Sequence, residues 1–104
     1  MVVPFPFTDK ARTRRRPAAV LSTSAYHAAT GHLICAMITS AARSAWTGDI
    51  PITNLAAAGL EVPCLIRLKL FSLDARLAMR QAGVLCEADW LALRRATRMA
   101  LAER

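Results

Sequence analysis

The five prolines of this 104-residue chain decide where its strands can run. Proline has no backbone N–H to give to a sheet ladder, so within sheets it stands at strand starts, on edges or at bulges. Each of the five borders or interrupts an apolar run. Pro4 and Pro6 interrupt residues 2–7, which read as a short edge strand. Pro17 opens the run Ala18, Ala19, Val20, Leu21, so residues 16–22 read as a second strand that begins at the proline. Pro51 places residues 49–53 at a sheet edge, and Pro63 introduces residues 63–73, the longest strand. Residues 32–39 contain no proline and are almost continuously apolar, the pattern of a central strand covered on both faces.

The segments between these strands follow from local chemistry. Residues 8–15 carry no large apolar side chain and read as a polar, cationic loop. Residues 23–30 suggest a short helical turn that stops at Gly31, and residues 40–48 a loop of small residues carrying Arg43 and Trp46. Residues 54–59 read as one helical turn, capped by Asn54 and stopped by Gly59. A turn at Asp74 and Ala75 leads to a last short strand within residues 79–85. Residues 87–104 are the one long helix, with Trp90, Leu93, Thr97 and Leu101 at helical spacing. Its acids, Glu87 and Asp89, come first and its arginines later, an order that complements the helix dipole. In residues 63–73, Ile66, Leu68 and Leu70 share the core side, and Arg67 and Lys69 share the other. The sum is one domain over residues 1–104, mainly β with a C-terminal helix: a twisted, mostly antiparallel partial barrel of about five to seven strands.

Charge narrows the function. Fourteen Lys and Arg against seven Asp and Glu give a formal charge of +7, and twelve of the fourteen are Arg. Guanidinium groups bind phosphate bidentately and stack on bases, so the excess points to an anionic partner, nucleic acid first. The plain alternative is an arginine- and alanine-rich composition set by a GC-rich genome. No apolar run approaches the roughly 18 residues of a membrane span, and the N-terminus lacks the pattern of an export signal. Cys35, Cys64 and Cys86 are widely spaced, with no CxxC and no Cys/His pair at ligand spacing. That favours a reduced, cytoplasmic protein without a metal or other cofactor.

Within this frame Arg16 is the leading candidate. Pro17 holds it extended, where a cationic loop enters a rigid sheet, a common place for a functional side chain. The competing reading is a solvated arginine at a strand start. Arg14 and Arg15 precede it in the same basic run, and Arg67 and Lys69 either hold a nucleic-acid backbone or simply decorate an exposed sheet face. Trp46 can stack on a base or pack against the protein. Thr39 and Ser40 end the central strand, where hydroxyls also serve as ordinary caps. His27 and His32 read as surface or satisfied histidines.

Several motifs, in order, resemble the MazF/PemK toxins of bacterial toxin–antitoxin systems. They are Val3-Pro4-Phe5-Pro6-Phe7-Thr8-Asp9, Arg15-Arg16-Pro17-Ala18 with Val20-Leu21-Ser22, and Ile34-Cys35-Ala36-Met37-Ile38-Thr39-Ser40. Ala58-Gly59-Leu60, Arg67 to Asp74, and Gly83-Val84-Leu85 continue the pattern over nearly the whole chain. The resemblance implies the small SH3-like barrel shared by these toxins and CcdB, a homodimer, a groove for single-stranded RNA, and an antitoxin that blocks the groove with an extended or helical peptide. It implies a sequence-selective, metal-independent endoribonuclease in which the substrate's 2′-hydroxyl attacks. Arg16 would then stabilise the phosphorane electrostatically, since arginine is always protonated and a poor acid. By the same resemblance Thr39 points its hydroxyl at the scissile phosphate, with Ser40 in support, and Arg14, Arg15, Arg67, Lys69 and Trp46 bind RNA.

The chain also departs from the family. Members open with a Gly-Asp/Glu-Ile-Val-like segment before the first Pro-Phe; most of it is missing, so a shortened first strand is expected. The first loop offers only Asp9 as an acid, Lys69 stands near where one branch has Asp, and Cys64 replaces a residue that is often small and polar. The proton acceptor is therefore unassigned. Two alternatives follow: a truncated or inactive relative that only dimerises and binds antitoxin, and a CcdB-like gyrase inhibitor. Such inhibitors end in a Trp-Gly-Ile type tail, whereas this chain ends Leu-Ala-Glu-Arg.

Overall fold

A computed structural model describes residues 1–9, 12–41, 46–78 and 80–102, with backbone only for residues 5–9 and 12–14. Five strands form one antiparallel sheet in the order β1-β2-β3-β5-β4. They are β1 (Val2–Asp9), β2 (Arg12–Val20), β3 (His32–Ser40), β4 (Ile50–Pro51) and β5 (Cys64–Asp74). Helix α1 (Ser24–Thr30) joins β2 to β3, α2 (Leu55–Ala58) follows β4, and α3 (Glu87–Ala100) closes the chain.

Three of the prolines sit where a missing N–H does least harm, whereas Pro17 lies inside β2. Pro4 and Pro6 lie on edge strand β1, Pro51 on edge strand β4, and Pro4 stands directly across from Pro17 in the β1–β2 register. Residues 8–15 are not a loop. β1 and β2 stay paired out to Asp9 and Arg12, so β1 is eight residues long rather than short. A backbone ladder needs no apolar side chain, which is why hydropathy missed this ribbon. β2 pairs with β3 only at Ala18–Met37, Ala19–Ala36 and Val20–Cys35, so most of the ribbon extends beyond the main sheet.

The sheet carries a core on each face. Val2, Ala19, Ala36, Ile38 and Ile66 pack with Leu93 of α3 and Ala58 of α2. Val3, Ala18, Val20, Leu33, Cys35 and Leu73 form the other cluster. β3 contributes to both, as its unbroken apolar run predicts. Leu70 stands on the expected side but stays 39% exposed, because it lines a cleft beneath α3 with Trp90 and Leu101. Before it the ladder slips: Ala36 pairs with Leu70 but Met37 pairs with Arg67, leaving Leu68 and Lys69 as a bulge.

Two further expectations change. Among the described residues, 80–85 form no strand; they make a single bridge, Val2 to Gly83. Ala82 N–H donates to Val2 O at 2.7 Å and Val84 N–H to Ala57 O at 2.9 Å, so the segment divides its hydrogen bonds between β1 and α2. Helix α3 ends at Ala100, and Leu101 is extended; residues 103–104 lie outside the described residues. The start of α3 is tied down by Asp89, 2% exposed. Its carboxylate accepts from Thr53 N–H at 2.9 Å, Thr53 Oγ1 at 2.7 Å and Asn54 N–H at 3.3 Å. The short helices have their expected caps, Asn54 Oδ1 accepting from Ala57 N–H at 3.0 Å and Gly59 terminating α2 at φ 75°.

Candidate active site

The β2–β3 ladder stops at Ala18–Met37, next to Pro17, which has no N–H to extend it. Alternation along each strand puts Arg16 on the sheet face of Ala18 and Thr39 on that of Met37, and these two faces are the same because Ala18 pairs with Met37. A cavity of about 340 Å³ opens where the strands part. Arg15, Arg16 and Pro17 line it from β2, and Ile38, Thr39 and Ser40 from β3. Cys64 of β5 and the connection Leu60, Glu61, Val62 complete the wall.

The three residues expected to act on phosphate therefore meet in one place. Thr39 is 8% exposed, Arg16 and Ser40 are half-buried, and Arg16 Nε is itself buried. Arg15 is exposed at the mouth. The cavity offers cationic donors and hydroxyls beside an apolar floor of Ile38 and Cys64, a combination suited to an anionic ester. Burial pushes the Cys64 thiol up, so it stays protonated at neutral pH.

The other predicted residues lie apart from these. Arg67 is not on an open sheet face: it is 7% exposed, with Nε 3.0 Å from Asp49 Oδ1 and Nη2 2.8 Å from Asp49 Oδ2. Arg67's hydrogen bonds hold the Asp49 carboxyl below the usual range, against a smaller opposing effect of burial. Trp46 donates its backbone N–H to Asp49 Oδ2 at 3.1 Å, and the residue is 45% exposed. Lys69 Nζ stands 4.5 Å from the centre of its ring and Arg67 Cζ 5.6 Å. Since Met37 pairs with Arg67, this cluster shares the face of Arg16 and Thr39. Arg14 pairs with Phe7, but its side chain lies outside the described residues, as does Arg43. His27 and His32 are exposed, and His32 begins the strand whose far end reaches the cavity.

Glu61 and the Asp49–Arg67 pair had no sequence signal. Glu61 sits in a connection without periodicity, and an ion pair spanning 18 residues leaves no local pattern. Among the described residues no group of three His, Cys, Asp or Glu side chains is placed to hold a metal ion, and no helix is long and apolar enough to cross a membrane.

Residues 1–101 match the model of the PemK-like, MazF-like toxins of type II toxin–antitoxin systems. The chain belongs to this family. No curated protein matches it by sequence. Solved structures similar to this PemK/MazF-like chain include a MazE–MazF crystal structure (Form-II) from Deinococcus radiodurans. The two are 25% identical, with 99% of this chain and 92% of that one covered and a TM-score of 0.74. Form-III from the same organism is 27% identical, covers 95% and 91%, and has a TM-score of 0.71. Mycobacterium tuberculosis toxin MazF-mt6, 21% identical over 99% and 100% of the chains with a TM-score of 0.73, has the same fold. The mainly β sheet with added helices is thus the MazF fold. Arg16, within β2, and Thr39 and Ser40, at the end of β3, are among the residues that line the cavity on it.

Proposed function

We propose that this PemK/MazF-like chain is a metal-independent endoribonuclease toxin that cleaves single-stranded RNA at selected sequences. The observation that carries this is the shared cavity of Arg16, Thr39 and Ser40, residues brought together from two strands. The substrate's own 2′-hydroxyl attacks phosphorus, leaving a cyclic phosphate and a 5′-hydroxyl. Arg16 donates hydrogen bonds to the phosphorane oxygens, where a positioned donor is worth about 3–4 kcal/mol of barrier. Thr39 donates its hydroxyl to the same group and Ser40 supports it. Arg15, Arg14 and Lys69 attract the RNA backbone, and the exposed ring of Trp46 is a stacking surface for a base. Arg67 acts on RNA mainly through this cluster, because its guanidinium already grips Asp49.

The chain works in the cytoplasm as a homodimer, and an antitoxin peptide occupies the RNA groove; the MazE–MazF complexes among its structural neighbours support that partner. The test is incubation of the purified protein with a long single-stranded RNA in EDTA. Discrete cuts with cyclic phosphate ends, lost in Arg16→Ala, are expected; intact RNA would sink the proposal.

A further inference from the structure

The ribonuclease reading leaves the 2′-hydroxyl proton without an acceptor. We infer that Glu61 is that acceptor, a catalytic residue of the same cavity; this rests on the function proposed above.

The first support is elimination among the described residues lining the cavity. Arg15 and Arg16 cannot accept a proton at neutral pH. The Cys64 thiol is kept protonated by its burial. The hydroxyls of Thr39 and Ser40 are far weaker bases than a carboxylate. Glu61 is the one carboxylate on the wall. Of the other acids whose side chains are described, Asp49 is committed to Arg67, Asp74 to Arg76, and Asp89 to Thr53; the Asp9 side chain lies outside the described residues. Glu87 stands in the first turn of α3.

The second support is placement. The connection bearing Glu61 is pinned at both ends. Leu60 N–H donates to Leu55 O at 2.9 Å, and Ala41 N–H, next to Ser40, donates to Pro63 O at 2.9 Å. Gly59 fits so closely that a Cβ there would lie 2.2 Å from Ala82 O. Glu61 is thus held on the wall of the cavity that the arginines of β2 and the hydroxyls of β3 also line.

The step balances. The Glu61 carboxylate takes the 2′-hydroxyl proton as the 2′-oxygen bonds to phosphorus. The bond from phosphorus to the 5′-oxygen breaks, and that oxygen takes a proton from water. The charged groups that line the same cavity as Glu61 are Arg15 and Arg16 on β2; Thr39, Ser40 and Cys64 add neutral donors.

The test compares wild type, Glu61→Gln, Glu61→Asp and Arg16→Ala in single-turnover cleavage of one RNA across pH. Binding is measured separately on the same RNA with a 2′-deoxy residue at the cut site. For Glu61→Gln we expect a rate loss of about 10²–10⁴-fold with binding unchanged or tighter. The decline of the rate at acid pH should vanish in it, while Glu61→Asp retains part of the rate. Wild-type cleavage rates and an unchanged pH profile in Glu61→Gln, with Arg16→Ala inactive, would overturn Glu61 as the base and leave the ribonuclease reading standing. A lower affinity at an unchanged rate would also overturn it. No cleavage by wild type would remove both.

Discussion

Arg67 donates to both carboxylate oxygens of Asp49, through Nε at 3.0 Å and Nη2 at 2.8 Å. Their side chains are only 9% and 10% exposed, so a bidentate pair is fixed on the face that also carries Arg16 and Thr39. Asp49 further accepts the Trp46 backbone N–H. One carboxylate thereby holds a cation and the backbone of the residue whose ring lies beside it. Asp49→Asn keeps the shape but removes the charge. It should lower Tm by several degrees and shift Trp46 emission towards that of a solvated indole. An unchanged melt and spectrum would show that the pair organises neither.

Arg16→Ala and Arg16→Lys separate charge from geometry. Lysine restores the charge but not the two parallel N–H groups. The alanine variant should lose about 10²–10³-fold in kcat, and the lysine variant should recover only part of that. Single-turnover cleavage measures both. Equal rates for lysine and arginine would reduce the role to bulk charge.

Thr39→Val swaps a hydroxyl for a methyl in a buried strand position that suits valine. Losing a hydrogen bond to a charged phosphate costs about 1.5–3 kcal/mol, or about 10–100-fold in rate. The melt should barely move. A large fall in Tm would mean that the hydroxyl serves the fold, and Ser40→Ala should have the smaller effect on rate.

Asp89→Asn tests the latch between α3 and the β4–α2 connection. Burial works to raise the Asp89 carboxyl, but hydrogen bonds from Thr53, Asn54 and Cys86 outweigh it and leave it lowered. A carboxyl lowered by folding adds stability above its unfolded value, near pH 4, and that stability is lost as pH falls through the folded value. Wild type should therefore weaken on acidification below about pH 5, as Asp49 and Asp74 also dictate. Asp89→Asn should be less stable by about 1–3 kcal/mol at pH 7 and show a shallower acid slope in urea melts. Parallel slopes would remove Asp89 from the acid response.

Gly59→Ala combines a left-handed backbone, at φ 75°, with a Cβ that would strike Ala82 O. The backbone term alone costs about 1–2 kcal/mol. Chemical denaturation should show at least that loss, and a neutral result would mean that the α2 end can shift.

What hydropathy and capping rules could read was local. Asn54 and Gly59 bracket one helical turn because an amide side chain and a left-handed glycine are short-range signals. The double burial of β3 was equally plain, since every face of a central strand must be apolar. The ribbon of Asp9 and Arg12 was hidden because its ladder depends on backbone pairing, while residues 8–15 carry no apolar pattern. Motif order singled out Arg16 and Thr39, which line one cavity, but the place of Glu61 on its wall and of Asp49 beside Arg67 comes from tertiary approach, which no window along the chain can report.

Pro17 gives the site a property that no side chain can give it. The opening lies where a main-chain bond cannot form, so its position belongs to the scaffold. Residues around its rim, such as Arg15 and Val62, are then at liberty to diverge and change what the opening accepts without altering where it lies.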